Sequence, residues 1–177
     1  MSRESPSFEL TEDDRRSVTR WAVACAERAL PLFETKAPSD PRPREAVEAA
    51  RAFALGERRT ARLRTAAWSA YQAAREAGDP AAEAAARAAG SAAGAPYLHP
   101  LATKHQLKHV LGPALYLARA HELAQGDDPG VGDDEVRWAL GQVPPRVRAV
   151  VARMPAGAPG RTRLGALHRR LEAGLRG

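Results

Sequence analysis

The chain is poor in cysteine, lysine and aromatic residues, and it has no long apolar run. Cys25 is the one cysteine among 177 residues, which excludes an internal disulfide and suits a reducing compartment. Its helical neighbours Val18, Trp21, Ala22 and Ala29 are apolar, so a buried, inert thiol is expected. No stretch approaches the ~20 apolar residues of a membrane span, and the opening MSRESPSFEL holds no apolar leader core. A cytoplasmic protein, neither inserted nor exported by a standard signal, is the expectation. Also missing are a G-x-x-x-x-G-K-[ST] phosphate loop, a G-x-G-x-x-G turn after a strand and a G-x-S-x-G elbow. These absences leave nucleotide and serine-hydrolase chemistry without support, and no cofactor is implied.

Hydrophobic residues make up 44% of the chain and aromatics only 5%, so the core has to be built mainly from Ala, Leu and Val. Many small contacts must then replace a few large anchors. Lysine occurs only at Lys36, Lys104 and Lys108, so the net charge of +6 and the pI near 10.2 come from arginine. That charge suits an acidic protein or a nucleic acid, although arginines standing among glutamates on solvated helix faces explain it equally simply. At this length one domain can bury roughly 70% of its unfolded surface without a metal or disulfide staple.

Helix punctuation dominates what is present. Thr11 before Glu12, Asp13 and Asp14 has the form of a cap with an acidic first turn. Val18, Trp21, Ala22, Cys25, Ala29, Leu32 and Phe33 follow at helical spacing, and Pro31 is expected to kink or end that helix. After a loop at Lys36–Pro43, helices are predicted to about Leu55, over Glu57–Ala77 and over the alanine-rich Ala81–Ala95. Gly90 and Gly94, one turn apart, should give this last helix a smooth face. A long helix is expected from about Leu101 to Gln125, and GDDPGVG then reads as a loop before short helices near 133–141, 144–153 and 161–175. The predicted fold is all-α: one helical domain over 1–177, an irregular multi-helix bundle with an alanine-rich central helix. Its core runs over about 11–125 and its tail of short helices over about 133–175.

Two constellations invite a functional reading. His105 and His109 are spaced i, i+4 and share a helix face with Leu101, Gly112 and Tyr116, while Lys104 and Lys108 interleave. A third imidazole, His99, lies just upstream. The spacing suits two ligands on one metal, but Gln106 stands where a zincin needs its glutamate, and ordinary hydrogen-bonded histidines are the simpler account. The opposite stripe, Leu107, Val110, Leu111, Ala114, Leu117 and Ala118, reads as core, and His121 falls with it. On the third helix, Arg64, Trp68, Tyr71 and Arg75 form one stripe of residue types that dominate protein-binding hot spots. A buried helix with arginine stems lying over the rings would produce the same pattern. The acidic clusters Glu12–Asp14, Asp127–Asp128 and Asp133–Glu135 each lie at a helix start or loop, where capping explains them.

From Trp21 to Leu123 the sequence resembles the Imm-5-like family of putative bacterial immunity proteins. The segments that carry the resemblance are WAVACAERALPLFE, DPRPREAVEAARAFALGE, AAWSAYQAAREAGDPAAEAAARAAGSAAGAPYLHPLA and HQLKHVLGPALYLARAHEL. The D-x-R-P-R helix start and the Y-L-H-P-L-A…K-H segment are the most specific, and the part after Gly126 carries none of it. The resemblance implies an all-α domain that neutralises a toxin of a polymorphic toxin system by binding it. Members have also carried an exonuclease-subunit label of the structural-maintenance type, which needs a phosphate loop and a long coiled coil absent here. Ser91 stands where related sequences have a histidine, which weakens any shared histidine-based site.

Three functions follow as expectations. The first is a non-enzymatic module binding a toxin domain through Arg64, Trp68, Tyr71 and Arg75 or through the histidine stripe. A nucleic-acid-associated protein acting through arginine is the second. The third is a metal- or ligand-binding domain centred on His99, His105 and His109.

Overall fold

The computed structural model describes residues 8–100 and 103–177; the side chain of Lys104 and the whole of Leu101 lie outside it. Among the described residues there are eight α-helices and no strand. They are α1 (Glu12–Lys36), α2 (Arg42–Ala54), α3 (Ala61–Glu76), α4 (Pro80–Gly94), α5 (Lys104–Ala124), α6 (Pro129–Gly141), α7 (Pro145–Ala152) and α8 (Arg163–Arg176). A short 3-10 turn, Ala95–Tyr97, extends α4. None of the helices is long and apolar enough to cross a membrane.

Local chemistry sets most of the helix starts. The Thr11 hydroxyl accepts the Asp14 N–H, and the Asp14 carboxylate accepts the Thr11 N–H, both at 3.1 Å, which closes a capping box. Asp79 accepts the Ala82 N–H at 2.9 Å, with Pro80 in the first turn of α4. Three expected boundaries move. Pro31 does not end α1, which runs one further turn to Lys36. Gly56 takes a left-handed φ of +124° and Thr60 is extended, so Glu57–Thr60 crosses between helices and α3 starts only at Ala61. GDDPGVG is not a loop throughout: the Asp128 side chain accepts the Gly130 N–H at 2.8 Å, so α6 begins at Pro129.

Helix α4 is the centre of the bundle and packs against α1, α2, α3 and α5. Ala81, Ala82, Ala84, Ala85, Ala86, Ala88, Ala89, Ala92 and Ala93 are all buried. A helix enclosed on so many sides needs methyl-sized side chains, because any larger one would push a neighbour outward. The bulk comes from the surrounding helices, through Trp21, Phe33, Leu107, Leu111 and Leu117. Gly90 serves close approach as expected, since a Cβ there would lie 3.0 Å from the Tyr71 ring. Gly94 does not: nothing lies within 4 Å of the corresponding position.

The three C-terminal helices complete the same core, which takes in Val136, Ala139, Val147, Val150, Leu167 and Leu171. Charge holds them in place. Glu122 on α5 is fully buried and receives Arg163 at 2.7 Å and Arg119 at 2.9 Å. Asp14 on α1, 4% exposed, receives Arg146 at 3.2 Å and Arg153 at 3.0 Å. Arg28 grips Glu135 in two hydrogen bonds at 2.6 and 3.2 Å. The Trp21 indole N–H donates to the Ala139 carbonyl at 2.9 Å. The acidic clusters noted in the sequence are therefore spoken for by arginine and by helix caps.

Candidate functional site

The outward face of α3 is set by where its apolar face is used. Leu63, Ala70, Ala73 and Ala74 turn inward, which leaves Trp68 57% exposed. Trp68 and Leu55, the latter at the end of α2, are the large hydrophobic residues exposed among the described residues. Arg75 lies 5.3 Å from the Trp68 ring centroid, and Arg64 lies 4.4 Å from that of Tyr97. Arg58, Arg59, Arg62 and Arg64 form no ion pair among the described residues, whereas most other arginines do. The first turn of α3 holds no acidic residue, and Thr60 makes no side-chain cap. That helix start is electropositive from both its dipole and its side chains.

Tyr71 leaves the exposed patch predicted for it. It is half-buried against Gly90, and its hydroxyl shares a 3.0 Å hydrogen bond with Ser91. Burial raises its pKa above the ordinary phenol range, against the Ser91 hydrogen bond. The patch expected from Arg64, Trp68, Tyr71 and Arg75 is thus divided. Trp68, Arg64 and Arg75 face outward, while Tyr71, at the edge of their stripe, leans onto α4 and helps line a groove.

That groove holds most of the second constellation. One lobe, about 450 Å³, lies between α3, α4 and α5 and is lined by Tyr71, Ser91, His109 and Gly112. A second lobe, about 370 Å³, is closed by Pro159, Gly160, Thr162 and His168. His105, Lys108, Leu115 and Tyr116 line both lobes and make them one trough across α5. His105, Lys108 and His109 are exposed, as their stripe predicts, while Leu107, Val110, Leu111, Ala114, Leu117 and Ala118 are buried opposite. Desolvation, together with Lys108, His99 and His105, holds the His109 pKa below the usual imidazole range. His99 lies in a separate cleft with Arg15, Arg59, Arg64 and Tyr97, where its backbone N–H donates to Gln106 at 3.3 Å. Lys104 heads α5, its side chain outside the description.

His121 is half-buried rather than fully in the core, with Nδ1 3.2 Å from Glu135. No group of three His, Cys, Asp or Glu residues among the described residues is placed to hold a metal ion. Cys25 is fully buried, and burial drives its thiol pKa far above the usual range, so it offers no nucleophile.

Sequence reasoning missed the second lobe because its wall comes from residues 158–168, remote from α5 in the chain. It also missed Glu122 as an anchor, although a signal was there. Leu111, Ala114, Ala118 and Glu122 continue one apolar stripe, and a charge on such a stripe announces a buried partner.

A family model described as Imm-5 like putative immunity protein matches residues 9–146. The match runs past Leu123 and takes in α6, so the resemblance does extend beyond Gly126. No curated protein and no solved structure matches the chain.

Proposed function

The chain belongs to the Imm-5 like putative immunity protein family, and from that premise we propose that it is a non-enzymatic module that neutralises a bacterial toxin by binding it. The docking surface in this reading is the outer face of α3 with the α2–α3 connection. The observation that carries it is Trp68, more than half exposed with Arg75 over its ring and the exposed Arg64 one turn earlier on the same helix. A monomer gains nothing from an exposed indole, whereas an interface gains a large, rigid anchor. Arg58, Arg59, Arg62 and Arg64 have no carboxylate partner among the described residues, so the complementary toxin surface should be acidic. Occlusion would follow from burial of that surface, with no bond made or broken.

The test is affinity for a toxin domain encoded beside this gene, with rescue of growth when the two are co-expressed. Trp68→Ala should weaken binding by about thirtyfold or more, as truncation of a central anchor does. Full affinity in that variant would remove α3 from the interface. A nucleic-acid reading draws on the same unpaired arginines. It requires binding of duplex or single strand that falls steeply with salt and survives Trp68→Ala. Absence of such binding would leave the toxin reading as the account of this face.

A further inference from the structure

We propose that the trough across α5 is a binding site for a small organic anion, a phosphate or carboxylate carried on a compact apolar body. It is separate from the α3 face and does not depend on what docks there.

The size and lining of the trough support this. Two lobes of about 450 and 370 Å³ joined through His105, Lys108, Leu115 and Tyr116 fall in the range of small-molecule sites. No aspartate or glutamate lines either lobe. Glu172, behind the wall of the second lobe and 3.5 Å from His168, is held by the Gly157 N–H at 3.1 Å and by Arg176 at 2.9 Å. Lys108 therefore stands with two imidazoles and no counterion among the described residues, an arrangement that an anion relieves.

Neutral donors converge on the same space. Tyr71 and Ser91 share one hydrogen bond, so one hydroxyl proton of the two remains to be donated. The Thr162 oxygen accepts the Gly165 N–H at 3.2 Å, which leaves its own proton free. His168 is buried against the second lobe, its Nε2 3.5 Å from Glu172 and short of hydrogen-bond geometry with it. Leu115, Leu164, Pro159 and Ala158 supply an apolar wall, which suits a ligand with a hydrophobic body and disfavours a bare ion.

The experiment is an NMR titration of the isotope-labelled full chain with phenyl phosphate, benzoate and inorganic phosphate in separate arms. The expected result is saturable shifts at Lys108, His109, Gly112 and Tyr116, with a dissociation constant of about 1 mM or tighter for phenyl phosphate or benzoate. The tighter of those two names the headgroup. Lys108→Glu, at an exposed position, should weaken binding at least tenfold, and Lys36→Gln on α1 should leave it unchanged. Gly94→Leu places a side chain where nothing lies within 4 Å and should block the first lobe without disturbing the fold. Shifts that do not saturate, or that persist in Lys108→Glu, would overturn the site. Inorganic phosphate binding as tightly as phenyl phosphate would overturn the organic body.

Discussion

The helices around α4 and the three that follow α5 are held by opposite means. The first group meets mainly through methyl groups, with nine alanines of α4 buried. The second group is fastened by arginine on buried carboxylate, at Glu122, Asp14 and Glu135. A core of small side chains tolerates little added volume. A charged clamp tolerates the loss of its arginines poorly, because the carboxylate is then left buried without compensation.

Breaking the clamp should have the largest effect. Replacing both Arg119 and Arg163 by Met leaves the Glu122 carboxylate buried without a partner, and about 3–5 kcal/mol of stability should go with it in urea unfolding. Hydrogen exchange should show α6 and α8 losing protection first. If α4 lost protection together with them, the two regions would be one cooperative unit. Adding bulk to the other region should cost less: Ala89→Leu overpacks the α4 centre and should destabilise by about 1–3 kcal/mol, with protection lost throughout the bundle. Asp79→Ala removes the α4 cap and should cost about 1 kcal/mol by the same measurement.

The smallest effect concerns pH. Burial lowers the His168 pKa, with Glu172 opposing, so the folded state resists a proton that the unfolded chain accepts near pH 6.5. Stability from this histidine is complete above that pH and falls as the solution is acidified through it. His168→Leu should flatten the decline in melting temperature between neutral and mildly acidic buffer. An unchanged slope would assign the decline to other groups.

These contrasts were unevenly legible. The Thr11 cap with its acidic first turn and the two faces of α5 are written in short-range spacing, and each forms as read. What spacing could not supply is which distant side chain arrives. Tyr71 belongs to the Trp68 stripe by sequence, yet Gly90 and Ser91, on the neighbouring helix, take it out of solvent. His99 sits six residues from His105 but lines another cleft, because α5 begins only at Lys104. The second lobe of the groove depends on a wall some forty to sixty positions downstream, which no local pattern could announce.

The partners of α1 carry a consequence for biosynthesis. The Trp21 indole N–H and the buried Asp14 carboxylate find their mates more than a hundred positions downstream, at Ala139, Arg146 and Arg153. Residues 139–153 must therefore be made before α1 can be sealed. Until then that helix offers an apolar flank to whatever chaperone waits at the tunnel exit.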